Sequence, residues 1–552
     1  MGTIKLNIYS ILAAAIFIVA AVACDKNENE PETPVDNGII ELSVKINNGT
    51  KATFVESENE TECNFVWNRN DAIAVINNRR LYKFVLNGEY DNKEEGIFVM
   101  DKSVLPAEYI EGDFLMDSPL QLFYPYEGVS YDPTTQTINY TLPAEQSYEQ
   151  NGIAKKLMPM AGYSNNATDE IIFSKLLGVL KISIEGSSDE LLKRMEIVSS
   201  YKLNGKSNIT IEEGYESRNE ISLNIYKNLR DSINKTDYNR ITMSFQQTGE
   251  SISEAKVFYI PLTETAKDLG LLIYTNLRSY YKEINPKGEK VASVIKAGET
   301  FTFPLIDTKT MPPAYIENGV YLGDGITLPK SADGTETLIW APVNCGYEAE
   351  IKDGGQTSYK GYPFGKLYQW GRKDGQGYID IAYEDNSYPY EPSTNPSGNP
   401  DPDKFYQDWS LTAAQWPENS NPCPEGWRVP TSEELISLVQ GLNQNDYLSG
   451  LSSHWVSSNP DKNSKHYGQP GFHFYGNTSE KSEKVFFPAA GFYKYDLSGT
   501  QIRGLSGCYW SATANGAGNA WYMDFNRKGY IDTYYDGHAY GRSVRCVKNN
   551  TK

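Results

Sequence analysis

The sequence predicts a mostly β protein, and three observations carry the prediction. Tyrosine (40) and glycine (45) are abundant and aromatics reach 12%, a composition that favours many short strands ended by turns. Short stretches of alternating apolar and polar residues recur along the chain. In its C-terminal part only one segment, after Pro430, shows clear helical spacing. With 552 residues, the chain has room for about three domains at roughly 100–200 residues each.

The elements follow in order. Ile40, Leu42, Val44 and Ile46 alternate with polar residues, as in a half-buried strand. Residues 65–76 read as a strand, a tight polar turn and a second strand, and 81–86 and 121–124 as further strands. Residues 171–184 form a long apolar-rich run, and 255–262, 271–274 and 301–305 are later strand segments. Pro312 and Pro313 mark a linker. Beyond it, Thr431 and Glu434 have the spacing of a capping box. Leu435, Leu438, Val439 and Leu442 then fall on one helical face. Trp521, Met523 and Phe525 alternate with Tyr522 and Asp524 as a strand.

The N-terminus reads as an export signal. Lys5 precedes an apolar run over 8–23, which ends Ala21-Val22-Ala23-Cys24 and turns abruptly polar. This is the pattern of a secretory signal peptide, residues 1–23. The cysteine at its boundary resembles a lipobox, although Ala21 stands where leucine is usual. The resemblance implies acylation of Cys24. Lys26 and the acidic residues after Cys24 resemble the signal that sends Bacteroidetes lipoproteins to the cell surface. Residues 24–37, with Pro31 and Pro34, would be an extended tether.

Lys and Arg number 51 against 71 Asp and Glu, a net charge of −20. A field of that sign repels nucleic acid and excludes it as a partner. Export permits disulfides. Apart from Cys24, the cysteines are Cys63, Cys345, Cys423, Cys508 and Cys546. Cys63 reads as a buried free thiol. The other four allow three connectivities, and spacing does not choose among them.

Two family resemblances organise the chain. Phe65-x-Trp67-x-x-x-Asp71-x-Ile73-x-Val75, Met158-Pro159-Met160-Ala161-Gly162 and the run from Phe173 to Ile182 resemble the Bacteroidales fimbrillins. That resemblance implies two transthyretin-like β-sandwich domains, at 38–168 and 169–307, and assembly with other fimbrial subunits by strand addition. The second series comprises Gly365-x-Leu367-Tyr368-x-Trp370, Cys423-Pro424-Glu425-Gly426-Trp427-Arg428-Val429-Pro430-Thr431, Gly507-x-Tyr509-Trp510-Ser511-Ala512-Thr513, Ala520 to Phe525 and Ser543 to Val547. It resembles the Fibrobacter-type major paralogous domain, related to the C-type lectin-like fold. It implies an α+β unit at 313–549, with Cys423 paired to Cys546 and Cys345 left to pair with Cys508.

No metalloprotease, P-loop or dinucleotide motif occurs. The four histidines are scattered, without metal-ligand spacing. No calcium-type sugar motif is complete, since Glu391-Pro392-Ser393 lacks the amide oxygen that would coordinate the ion. No cofactor, metal or catalytic residue is expected, and the chain does not read as an enzyme. The segment 383–406 is long and patternless, the kind of loop that binds ligands on a rigid scaffold. Tyr388, Tyr390 and Trp409 are the candidates for stacking on a sugar or peptide. The expectation is a lipid-anchored outer-membrane adhesin, displayed on the cell surface or a fimbrium. Its C-terminal lectin-like unit would recognise a host or bacterial surface glycan or protein. Because the strand near Cys546 should be internal to that unit, a fimbrial tip or accessory subunit is expected, not a repeating stalk. The alternative is a non-fimbrial lipoprotein that captures glycans or proteins.

Overall fold

The computed structural model describes residues 39–47, 65–106, 108–149, 152–153, 157–199, 201–211, 239–245, 248–263, 266, 268–284, 295, 297–330, 335–348, 351–352, 359–360, 362–376, 405–440, 452–462, 464–475, 484–494 and 500–549. The signal peptide, the tether, Cys24, Cys63, Tyr388, Tyr390 and the Glu391-Pro392-Ser393 segment lie outside the described residues. The protein is mostly β, in several sheets with one α-helix among the described residues.

The strand Glu41–Ile46 alternates as its sequence requires, with Leu42, Val44 and Ile46 inside and Glu41, Ser43 and Lys45 outside. It pairs antiparallel with Glu95–Met100 and parallel with Ile171–Lys175. Hydrogen bonding continues through Met160–Ser164, Leu120–Tyr124, Ala72–Asn77 and Arg80–Leu86 back to Glu95–Met100, closing a seven-stranded barrel. Closure removes the free edges that an open sandwich would keep. The hairpin turn at Asn78 and Arg79 has positive φ at both residues, as a two-residue turn between twisted strands requires. Trp67 sits in the core, edge-on to Phe98, Tyr124 and Phe173.

The run 171–184 is two strands, not one. Ile171–Lys175 belongs to the barrel, whereas Gly178–Glu185 pairs with Lys256–Leu262 in the next unit. The expected boundary at 168/169 therefore falls before the last barrel strand, and the chain changes sheets at Leu176 and Leu177. Both leucines are buried in the barrel core, so the apolar pattern runs through the crossing without a polar seam. The second unit packs the sheet built on Gly178–Glu185 against one that orders Ser279–Glu283, Gly270–Thr275, Leu191–Val198 and Arg240–Ser244. Leu180, Ile182, Met195, Ile197, Phe258 and Ile273 are among the side chains of the core between them.

The two units share ladders. Thr137–Leu142 pairs with Gly205–Ile209, and Glu145–Gln146 pairs parallel with Arg240–Ser244. A hairpin, Ala314–Glu317 with Val320–Asp324, leads to the C-terminal unit. Tyr321 stacks on Tyr281 at 4.0 Å. Arg240 ties the hairpin to the second unit: it donates to Glu196 at 2.5 Å and to the Gly319 carbonyl at 2.6 Å.

In the C-terminal unit, the helix Ser432–Gln440 begins with the expected capping box. The Glu434 amide donates to Thr431 Oγ1 (3.3 Å), and the Thr431 amide donates to Glu434 Oε2 (2.8 Å). Arg428 donates to both Glu434 oxygens. Leu435, Leu438 and Val439 pack on Met523 and Phe525. That face belongs to a sheet ordered Thr500–Gln501, Phe492–Tyr493, Gly541–Ser543, Ser506–Ala514, Asn519–Asn526 and Ile531–Gly537, with Leu367–Gln369 also paired to Gly541–Ser543. Among the described residues no helix is long and apolar enough to cross a membrane.

Candidate functional site in the C-terminal unit

The unit is closed by its own last strands. Gly541–Ser543 lies inside the large sheet, and Val547–Lys548 lies between Thr337–Trp340 and Trp427–Arg428. Every residue from Gly541 to Lys548 is buried. Cys546 is bonded to Cys423, which sits just before the turn at Gly426. That turn needs a positive φ (78°), and an added Cβ would lie 2.9 Å from Lys548 Nζ. Lys548 itself donates to the Gly426 carbonyl at 2.8 Å and the Leu277 carbonyl at 3.3 Å.

The expected second bridge is absent: Cys345 and Cys508 are both free and buried. Each is committed elsewhere. Cys508 donates to Asp524 Oδ1 on the paired strand (3.4 Å). Cys345 lies beside the Cys423–Cys546 bridge, with all three sulfurs within 4.8 Å of one another. The lectin-like resemblance implied that pairing, and the sheet separates the two because Cys508 faces its own strand neighbour.

Around Cys345 is a closed polar cluster. Its thiol donates to the Pro422 carbonyl (3.1 Å) and lies 3.7 Å from Glu317 Oε1. Tyr368 Oη donates to Cys345 Sγ at 3.2 Å. The Gly346 amide donates to Glu317 Oε1 at 2.8 Å, and Tyr315 Oη donates to Glu317 Oε2 at 3.2 Å. Tyr315 Oη also lies 3.6 Å from Cys546 Sγ. Burial pushes the Glu317 carboxyl up to about 7, and pushes the Cys345 thiol well above its usual range. Two of the three sulfurs are spent in the bridge, so no thiolate set is on offer to a cation while it is closed. Glu317 was not among the sequence candidates. Its only sequence signal is an acidic residue ending an otherwise apolar strand.

His466, His473 and His538 are buried packing groups. His538 stacks on Trp370 at 4.2 Å and accepts from the Leu411 amide. His466 Nδ1 lies 2.9 Å from Gln469 Oε1, and the Gln469 amide nitrogen donates to the Pro363 carbonyl. Burial lowers these two histidines to about 4 and about 3. Of the three aromatic candidates only Trp409 is described. It is half-buried, and its indole N–H donates to the Trp370 carbonyl at 2.8 Å. That bond pins the end of the long loop to the unit.

Among the described residues, a cluster of exposed tyrosines lies on and just before Ile531–Gly537, at one edge of the large sheet. Tyr530, Tyr534 and Tyr535 are 44%, 39% and 58% exposed. Tyr534 pairs with Tyr522 and Tyr535 with Trp521 on the neighbouring strand, and successive residues face opposite sides of the sheet. Beneath Tyr522, the buried guanidinium of Arg542 lies 3.6 Å from the ring centre, 4.9 Å from that of Trp510 and 5.0 Å from that of Tyr540. Arg542 donates to Asp536 at 2.5 Å. Tyr534, on the same face as Tyr522, thus stands beside a fixed base, whereas Tyr535 stands on the opposite face beside Trp521. The sequence hint was the Tyr534-Tyr535 doublet in a strand otherwise punctuated by aspartates.

A further concavity of about 730 Å³ lies on the second unit, lined by Gln146, Tyr148, Ser244, Phe245 and Glu250 among others. Tyr148 and Phe245 are 5.5 Å apart between ring centres.

The sequence model of the Fibrobacter succinogenes major domain matches residues 325–548. No curated protein matches the chain. Among solved structures, a fimbrial protein from Bacteroides ovatus ATCC 8483 is 11% identical, with 88% of this chain and 95% of that chain covered and a TM-score of 0.22. The tip fimbrial protein Mfa3 from Porphyromonas gingivalis, with a C-terminal truncation, is 9% identical, with 48% and 93% covered and a TM-score of 0.24. A protein from the same Bacteroides ovatus strain, described as a candidate for cell adhesion, is 14% identical, with 50% and 95% covered and a TM-score of 0.31.

Proposed function

We propose that this chain is a lipid-anchored surface adhesin, a fimbrial tip or accessory subunit with no enzymatic activity, whose C-terminal lectin-like unit is the recognition head. The observation that carries the reading is the pair of exposed rings Tyr530 and Tyr534 at the sheet edge, on the face where Arg542 underlies Tyr522. Tyrosine offers a flat apolar face and a hydroxyl at little entropic cost, which suits sugar rings and protein hot spots. The strand Gly541–Ser543 is spent inside the head, so it is not free to be handed to a neighbour. Pairing with other fimbrial subunits would instead use main-chain hydrogen bonds at the open sheet edges of the second unit, such as Lys256–Leu262 and Ser279–Glu283, in the manner of strand addition.

The test is binding of the purified mature chain to a glycan array and to host cells. A Tyr530→Ser/Tyr534→Ser variant should lose at least about tenfold in affinity, as removal of two central aromatic anchors does. Full binding by that variant, with unchanged thermal stability, would remove the assignment. Protease shaving of whole cells tests surface display. Self-assembly of the purified chain into long filaments would contradict a tip or accessory role.

A second reading, non-fimbrial glycan capture, is favoured by the concavity at Tyr148 and Phe245, where aromatic rings adjoin amide and carboxylate groups. Sugar binding that survives the two serine substitutions but is lost in Phe245→Ala would select it.

A further inference from the structure

The inference concerns the bridge that closes the head. Cys345 keeps a free thiol among the sulfurs of Cys423 and Cys546. A thiol beside a disulfide can exchange with it through attack by the thiolate, with no change in the number of bridges or thiols. What such a step needs is a place for the thiol proton and a donor for the departing sulfur. Both are present. Glu317 Oε1 faces Cys345 Sγ at 3.7 Å, and the other oxygen of that carboxyl faces Tyr315 Oη at 3.2 Å. Tyr315 Oη in turn lies 3.6 Å from Cys546 Sγ. Tyr368 Oη, 3.2 Å from Cys345 Sγ, is placed to donate to a thiolate there.

We propose that Cys345, Cys423 and Cys546 form an exchange site in which Cys345 displaces Cys546 from Cys423, with Glu317 and Tyr315 relaying the proton. The Cys345 thiol gives its proton to Glu317 Oε1. The thiolate attacks Cys423 Sγ, the Cys345–Cys423 bond forms and the Cys423–Cys546 bond breaks with its electron pair left on Cys546 Sγ. Tyr315 gives its hydroxyl proton to that sulfur and recovers one from the protonated Glu317 carboxyl, which returns to its starting state. One thiol and one disulfide stand on each side of the equation, so neither oxidant nor reductant is consumed.

Which sulfur leaves decides the consequence. With Cys423 bonded to Cys345, the bridge no longer includes the last strands, and 541–548 is held by hydrogen bonds and packing alone. The site is thereby a covalent latch on the segment that closes the head. Two features keep it shut at rest. Burial raises the Cys345 thiol, which makes thiolate scarce. Cys546 also sits in a strand region whose main chain is paired on both sides of it: the Ala341 amide donates to the Cys546 carbonyl, and the Cys345 amide to that of Val544. Glu317, with its carboxyl near 7, can hold the proton in either direction at neutral pH.

The test uses the intact mature chain, held folded at pH 8 with iodoacetamide present and no added thiol, then mapped by mass spectrometry over time. The expected result is growth of a Cys345–Cys423 linked peptide together with alkylated Cys546, at a rate independent of protein concentration. Glu317→Gln should slow that growth at least about tenfold, the low end for loss of a positioned base, and the conservative Tyr368→Phe should slow it less. The proposal is overturned if Cys423–Cys546 remains the sole linked pair while Cys345 becomes alkylated. It is equally overturned if linkage spreads to Cys508 with a rate that rises with concentration, which is scrambling between molecules.

Discussion

Glu317 shows how one buried side chain converts position into pH dependence. Its carboxyl is raised by burial from an ordinary 4.5 to about 7. Between those values the folded chain holds a proton that the unfolded chain releases. Stability from this group is therefore full below pH 4.5 and is lost as pH rises through 7. Glu317→Gln, which fixes the neutral form, should be more stable than the parent at pH 8, by on the order of 2–3 kcal/mol. The gap should close at pH 4.5, and urea unfolding at the two pH values reads it. His466 and His538 act in the opposite direction. Burial lowers them to about 3 and about 4, so stability they confer at neutral pH falls as pH drops below about 6.5. Arg542 is a third case, a buried charge facing four rings, Phe492, Trp510, Tyr522 and Tyr540, and paired with Asp536 at the rim. Arg542→Leu should cost about 2 kcal/mol or more and loosen the Tyr522 and Tyr534 rings, which thermal melting and tyrosine fluorescence would register. None of these four residues was singled out from sequence, because a lone Glu, His or Arg carries no periodic signal.

At the scale of elements, local chemistry and sequence agree most closely at the helix Ser432–Gln440. Thr431 and Glu434 make their bonds reciprocally, and the apolar face meets Met523 and Phe525 as its spacing requires. Thr431→Ala should cost about 1 kcal/mol, measured as a shift in the urea midpoint without change of slope. Strands with clear alternation, such as Glu41–Ile46, were equally legible. The run 171–184 was not. Its two strands have the same composition, and only their partners, Met160–Ser164 for one and Lys256–Leu262 for the other, separate them. The long segment with Tyr388 and Tyr390 drew attention because it lacked a pattern. Among the described residues, exposed tyrosines cluster at a regular strand, where alternation at a sheet edge leaves both faces open to solvent.

Across the whole molecule, the ladders between Thr137–Leu142 and Gly205–Ile209, and between Glu145–Gln146 and Arg240–Ser244, bind the first two units to each other. Calorimetry should therefore show them melting in a single transition, since neither can open without breaking strands of the other. Two resolved transitions within residues 39–307 would contradict this. The C-terminal unit depends on its bridge. Cys423 and Cys546 are 123 residues apart, and opening a loop of that length costs about 4–5 kcal/mol in the chain-entropy account. A Cys423→Ser/Cys546→Ser variant should lose stability of that order, read by urea unfolding at neutral pH.

The sequence by itself determined the β class, the capped helix, the alternation of the principal strands and the pairing of Cys423 with Cys546, the last through resemblance. These are local or family-wide properties, written in periodicity and in residue order. The tertiary structure alone decided where the chain changes sheets, that the first unit closes into a barrel, and that Cys345 stands beside the bridge while Cys508 faces Asp524. Each of those depends on contacts between residues distant in sequence, and no spacing along the chain encodes which of several apolar strands, or which of several cysteines, will be neighbours in space.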